Sequence, residues 1–153
     1  MDLILWRHAE AIDLELVGDD MARYLTSRGE KQAARMAGWL DRQMPAGARV
    51  FASPATRAEQ TARALERKYK ISPALAPLAT PEQLLELVQW PHAKGCVLVI
   101  GHQPTLGQVI ARLLGLHASE CAVKKGAVWW LRHRERDEAG KTVVVTVQTP
   151  DLI

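Results

Sequence analysis

Apolar positions along this chain follow two rhythms. Short unbroken runs, too brief for helices, occur at Leu3-Ile4-Leu5-Trp6, Val50-Phe51-Ala52 and Cys96-Val97-Leu98-Val99-Ile100. Each reads as a strand inside a sheet. Between them the spacing turns helical, through Ala33, Met36, Ala37, Leu40 and Met44, then Ala58, Ala62, Leu65 and Tyr69, and later Leu106, Val109, Ile110, Leu113 and Leu114. Ser27 with Glu30 three residues on has capping-box spacing and opens the first helix, which Pro45-Ala46-Gly47 stops. Ser53 as N-cap with Pro54 at the first helical position opens the second. Thr80-Pro81-Glu82 opens a third, running to about Val88 or Trp90, and Gly115 ends the last. Residues 11–24 are polar and carry Gly18-Asp19-Asp20, which predicts a loop. Residues 71–77 predict loop or short extended chain. Near the end, residues 127–131 and 142–147 alternate or are β-branched around the polar stretch 137–141, which predicts a β-hairpin. Strands alternating with helices predict an α/β fold, a three-layer α/β/α sandwich with a mostly parallel central sheet and a C-terminal hairpin. One domain over residues 1–153 is expected.

Composition narrows the class. At 153 residues, 48% apolar and 24% charged, the chain can bury one core but hardly two. The formal charge of +3 fits either nucleic acid or arginines gathered around an anionic substrate. Lys124-Lys125 and Arg132-His133-Arg134-Glu135-Arg136 are mixed with acids near the hairpin, so a solvated edge that resists strand pairing is expected there, not a nucleic-acid surface. Cys96 and Cys121 form no CxxC or His/Cys ligand pattern and read as thiols in a reducing compartment. Asp2 stands where a signal peptide wants Lys or Arg, and Arg7 interrupts the first apolar run. The second conspicuous run is far below the ~20 residues of a membrane helix. A cytoplasmic protein with no membrane contact is expected.

Candidate chemistry collects where strands stop. The first ends in Arg7-His8, the second in Ser53-Pro54 leading to Arg57, and the third in Gly101-His102. In a parallel sheet with right-handed crossovers these junctions share one edge, where ligands bind in open α/β sheets. Arg7, His8, Arg57 and His102 can therefore converge. Two arginines and a histidine supply donors for the oxygens of a transferring phosphoryl group. Among cations His8 stays neutral, with one ring nitrogen free to attack and the other needing a partner, such as a backbone carbonyl, to fix the tautomer. No carboxylate or cysteine lies at ligand spacing with His8 or His102, so neither metal nor cofactor is expected. No Gly-x-x-x-x-Gly-Lys loop is present for nucleotide hydrolysis.

Arg7-His8-Ala9, the run Ser53-Pro54-Ala55-Thr56-Arg57-Ala58-Glu59-Gln60-Thr61-Ala62, and Gly101-His102 resemble the histidine phosphatase superfamily, with its phosphoglycerate mutase-like fold, and within it the small SixA-type phosphohistidine phosphatases. The resemblance covers nearly the whole chain. It implies that His8 carries a covalent phosphoryl intermediate and that Arg7, Arg57 and His102 form the phosphate pocket. Arg23, before Leu25-Thr26, resembles an arginine at that pocket's mouth, and Ser53 is a further pocket candidate. Ala9 replaces the usual glycine. Larger relatives place a general acid on an insertion between the second arginine and second histidine, where this chain has only about 45 residues. Glu82 is the candidate there, although it equally suits a helix N-terminus. A site without a committed acid favours a P–N bond over an alkyl ester, so the expected partner is a phosphohistidine-bearing protein. A small phosphorylated substrate, as for a phosphomonoesterase of the same superfamily, is the alternative. Phosphate and other oxyanions are the expected small ligands.

Overall fold

A computed structural model describes residues 1–135 and 140–153. Arg136 of the basic cluster and the hairpin-turn residues 137–139 lie outside the described residues. Six strands form one sheet: β1 (Asp2–Arg7), β2 (Arg49–Ala52), β3 (Lys70–Ile71), β4 (Cys96–Gly101), β5 (Val128–Arg134) and β6 (Lys141–Gln148). Their spatial order is β3-β2-β4-β1-β5-β6. Neighbours are parallel from β3 through β1, and β5 and β6 add as an antiparallel hairpin. The expected mainly parallel sheet with a terminal hairpin is thus the observed one.

Period-2 alternation assigns the faces. In β1, Ile4 and Trp6 point to one side with Met36, Ala37 and Leu40 of α1 (Ser27–Gln43) and Ala58 and Ala62 of α2 (Thr56–Arg63). Leu3 and Leu5 point to the other, with Leu84 and Val88 of α3 (Pro81–Val88) and Val109 and Ile110 of α4 (Thr105–Leu114). Every residue of β4 is buried. A central parallel strand covered on both faces reads as an unbroken apolar run for this reason.

Helix starts needed two corrections. Thr26, not Ser27, caps α1, its hydroxyl accepting from the Gly29 N–H. The helix also approaches the chain so closely that a Cβ at Gly29 would collide with the Glu10 carbonyl. Ser53 does not cap α2, which begins at Thr56 after Ala55. Its hydroxyl is spent on a tight turn and on His102, described below. The opening of α3 is as expected, with Thr80 and Gln83 forming a reciprocal capping box. The stretch expected to be loop or extended holds the short β3 and one 3₁₀ turn, Pro73–Leu75. No helix among the described residues is long and apolar enough to cross a membrane.

Candidate active site

Strand register brings the polar junctions to one level. Arg7 pairs with Gly101 across β1 and β4, and Ala52 pairs with Ile100 across β2 and β4. Ladder bonds run one step further, from His8 N–H to Gly101 O at 3.2 Å and from Ser53 N–H to Ile100 O at 3.0 Å. His8, Ser53 and His102 therefore leave three adjacent strands together. The rings of His8 and His102 lie with centroids 5.1 Å apart.

These polar residues are deeply buried: relative exposure is 6% for His8, 4% for Arg57, 3% for His102 and 0% for Ser53. His8 Nδ1 lies 2.8 Å from the Ala9 carbonyl. That oxygen can only accept, so Nδ1 carries the proton and Nε2 keeps its lone pair. Burial pushes the His8 pKa down to about 3, helped by the charges of Arg57 and Arg7 and opposed by the Ala9 bond. His102 is likewise lowered to about 3, first by burial and then by Arg57. Both rings are neutral at pH 7. Loss of hydration on burial, more than the arginine charges the sequence pointed to, keeps His8 neutral.

The arginines are anchored at one end. Arg7 donates to the Val123 carbonyl at 2.7 Å, and Arg57 to the Asp20 carbonyl at 2.7 Å and to Asp20 Oδ2 at 3.2 Å. Arg23 donates from Nε to the Ile12 carbonyl and from Nη1 to Asp20 Oδ1. Asp20 thus bridges Arg57 and Arg23. Burial raises the Asp20 pKa, but the Arg23 hydrogen bond and the Arg57 charge outweigh it and leave the carboxyl below its usual range. Arg7 Nε, Arg57 Nε and His102 Nδ1 are buried with no hydrogen-bond partner among the described residues. Buried polar atoms are normally paired. Unpaired nitrogens on two arginines and on His102 suit an anion with several acceptor oxygens. Three arginine charges less one aspartate leave a charge of about +2 around neutral histidines, the complement of a phosphoryl dianion.

Ala9 follows His8 without cost. Its methyl is buried with Leu25 and Ala33, and its φ is not positive, so the position does not require glycine. Its N–H donates to Thr61 Oγ1 at 3.1 Å, and that hydroxyl donates to the Arg57 carbonyl at 2.8 Å. One buried threonine therefore ties the His8 loop to the helix that carries Arg57.

Glu82 lies apart from this cluster. Exposed at the start of α3, it accepts from Arg112 at 2.7 Å. That bond holds its pKa below the ordinary value, so it is a poor proton donor at neutral pH. Glu82 lines a cavity of about 760 Å³ with Thr80, Pro104, Thr105 and Arg112, and neither His8 nor His102 lines it. Among the described residues no three His, Cys, Asp or Glu side chains gather as metal ligands. Within the basic cluster, Arg132 is paired with Asp2 at 2.7 Å. Asp20 and Thr61 carry roles the sequence did not reveal. The spacing of Asp20 three residues before Arg23 was the available signal for one, and the place of Thr61 in the run from Ser53 to Ala62 was the signal for the other.

Comparison with known proteins follows the same lines. Residues 3–87 match the family model of the histidine phosphatase superfamily (branch 1). The chain is 32% identical over 121 residues to the phosphohistidine phosphatase SixA of Escherichia coli K12, covering 74% of each chain. It is 28% identical over 130 residues to a SixA homologue of Haemophilus influenzae, covering 75% of this chain and 78% of that one. The structure of a protein histidine phosphatase SixA complexed with tungstate superposes with a TM-score of 0.81 at 26% identity, covering 99% of this chain and 98% of that one.

Proposed function

The chain belongs to the histidine phosphatase superfamily, and on that premise we propose that it hydrolyses phosphohistidine on proteins with His8 as the phosphoryl acceptor. The observation that carries the assignment of roles is the His8 ring itself, its Nδ1 proton committed to Ala9 and its Nε2 lone pair free at neutral pH. Nε2 attacks phosphorus as the substrate's P–N bond breaks, and the electron pair goes to the departing ring nitrogen. Arg7, Arg57 and His102 hold the equatorial oxygens, and Arg23 lies behind them through Asp20. Water then attacks the phosphoryl group on His8, loses its proton to solvent, and returns His8 with release of inorganic phosphate.

Leaving-group chemistry selects the substrate class. An alkoxide is the conjugate base of an acid with a pKa close to that of water, about 15.7, and needs a proton donor. A phosphohistidine whose other ring nitrogen is protonated leaves as neutral imidazole, whose conjugate acid has a pKa of about 6.5. Transfer from one imidazole to another is close to an even exchange. Glu82 is tied to Arg112 on the surface, and no other acid takes the proton-donor role in this reading. The SixA relatives, named for phosphohistidine, support the same substrate, and the tungstate-bound structure supports oxyanion binding. Two free cysteines fit the reducing cytoplasm in which we place the protein.

A panel of phosphohistidine proteins and alkyl and aryl phosphates, run with the unmodified protein and Glu82→Gln, tests this reading. Phosphohistidine should be the best substrate, Glu82→Gln should change its turnover less than threefold, and activity should survive exhaustive chelation while vanadate or tungstate inhibits. Alkyl esters as the better substrates, with a hundredfold loss in Glu82→Gln as expected of a general acid, would make the protein a general phosphomonoesterase.

A further inference from the structure

The fully buried Ser53 hydroxyl has two neighbours, the Ala55 N–H at 3.1 Å and His102 Nε2 at 2.7 Å. The amide can only donate, so it occupies the oxygen as an acceptor. The hydroxyl hydrogen then has one acceptor within reach among the described residues, the Nε2 of His102. If Nε2 carried the ring proton instead, both neighbours would donate to Oγ and a buried O–H would be left unpaired, an arrangement folded proteins avoid. His102 is neutral at pH 7, so it holds a single ring proton. With Nε2 accepting from Ser53, that proton sits on Nδ1. Nδ1 is the ring nitrogen that is buried without a hydrogen-bond partner among the described residues, and its ring lies with its centroid 5.1 Å from that of His8.

We infer that Ser53 is a positioning residue that fixes His102 as its Nδ1–H tautomer, so that the ring offers an N–H donor and not a lone pair to a phosphoryl oxygen. A bare lone pair at Nδ1 would repel the anionic oxygen, whereas the N–H joins Arg7 and Arg57 as a third donor. Ser53 does so without touching the phosphoryl group, because both faces of its hydroxyl are committed to protein atoms. The use of that donor in catalysis rests on the phosphatase reading, whereas the tautomer is a property of the free protein.

Nitrogen-15 spectra of the histidine rings at pH 7, with the His102 signals assigned by their loss in a His102→Gln variant, read the tautomer directly. The expected result is a protonated Nδ1 and a pyridine-like Nε2 in the unmodified protein. In Ser53→Ala the ring should move to Nε2–H or to a mixture, and kcat for a phosphohistidine protein should fall about tenfold, somewhat less than the 10²–10³ that loss of a transition-state donor costs. An Nε2–H ring in the unmodified protein would overturn the inference even if Ser53→Ala failed to fold, as would an unchanged Nδ1–H ring in folded Ser53→Ala. A protein with the Nδ1–H ring that does not turn over phosphohistidine would support the tautomer assignment and refute the phosphatase reading.

Discussion

At single residues the proposed chemistry rests on how protons and charges are placed. Arg57 illustrates the point. Its Nη groups are held by Asp20 while Nε is buried and unpaired. Arg57→Ala should cost roughly 2.7–4 kcal/mol of transition-state stabilisation, the range for a lost oxyanion donor. The loss should appear in steady-state kcat/KM as 10²–10³-fold, and a loss below about threefold would remove Arg57 from the site. That Arg7, Arg57 and His102 come close to His8 was legible because each of the four stands at, or a few residues beyond, the end of an apolar strand. One polar strand end is ordinary, but three on neighbouring parallel strands share one sheet edge. The contacts of Asp20 and Thr61 were not legible. An aspartate in a polar loop and a threonine in a helix are common for local reasons, and only the third dimension brings one to two arginines and the other to Ala9. The low His8 pKa was foreseen in direction but assigned to charge, because sequence does not report how dry a site is.

At the scale of elements, the site depends on how closely the helices seat on the loops after the strands. The N-terminus of α1 lies against the chain at Glu10, where Gly29 leaves space for the carbonyl and Thr26 N–H bonds to it at 3.0 Å. Gly29→Ala should push α1 off this loop. Overpacking typically costs 1–3 kcal/mol, to be read as a lower urea midpoint at unchanged m-value. Because Ala9 packs on Leu25 and Ala33, turnover should fall as well. A variant as stable and active as the parent would show that this contact does not hold the His8 loop. Strand positions were readable from apolar runs and α3 from its capping box. The starts of α1 and α2 were displaced by one and two residues. Thr26 and Ser27 are both competent caps, and the Ser53-Pro54 signal was outweighed by the use of the hydroxyl on His102.

For the whole molecule, two neutral buried histidines make stability depend on acid. Unfolded histidine takes up a proton near pH 6.5, whereas folded His8 and His102 resist until about pH 3. Below pH 6.5 the unfolded chain therefore binds more protons, and folding stability falls as the pH drops from there toward 3. By pH 5 the loss should be on the order of 1–2 kcal/mol per histidine. Urea melts at pH 7 and pH 5 measure it, and a His8→Asn/His102→Asn variant should lose less between the two. Equal losses in both proteins would place the acid sensitivity elsewhere. The fold class was legible because apolar runs alternate with helical spacing, and parallel pairing carries three distant motifs to one sheet edge. The pairing of Arg57 and Arg23 through Asp20 was not, since it depends on the path of a polar loop with no periodicity.

The central claim is that His8 itself takes the phosphoryl group. A protein labelled with radioactive phosphohistidine, mixed with stoichiometric enzyme and quenched in alkali within milliseconds, should transfer label to the chain. Peptide mapping should then find that label on His8, with none transferred to folded His8→Ala and hydrolysis abolished. Label on another residue, or undiminished hydrolysis by folded His8→Ala, would contradict the account.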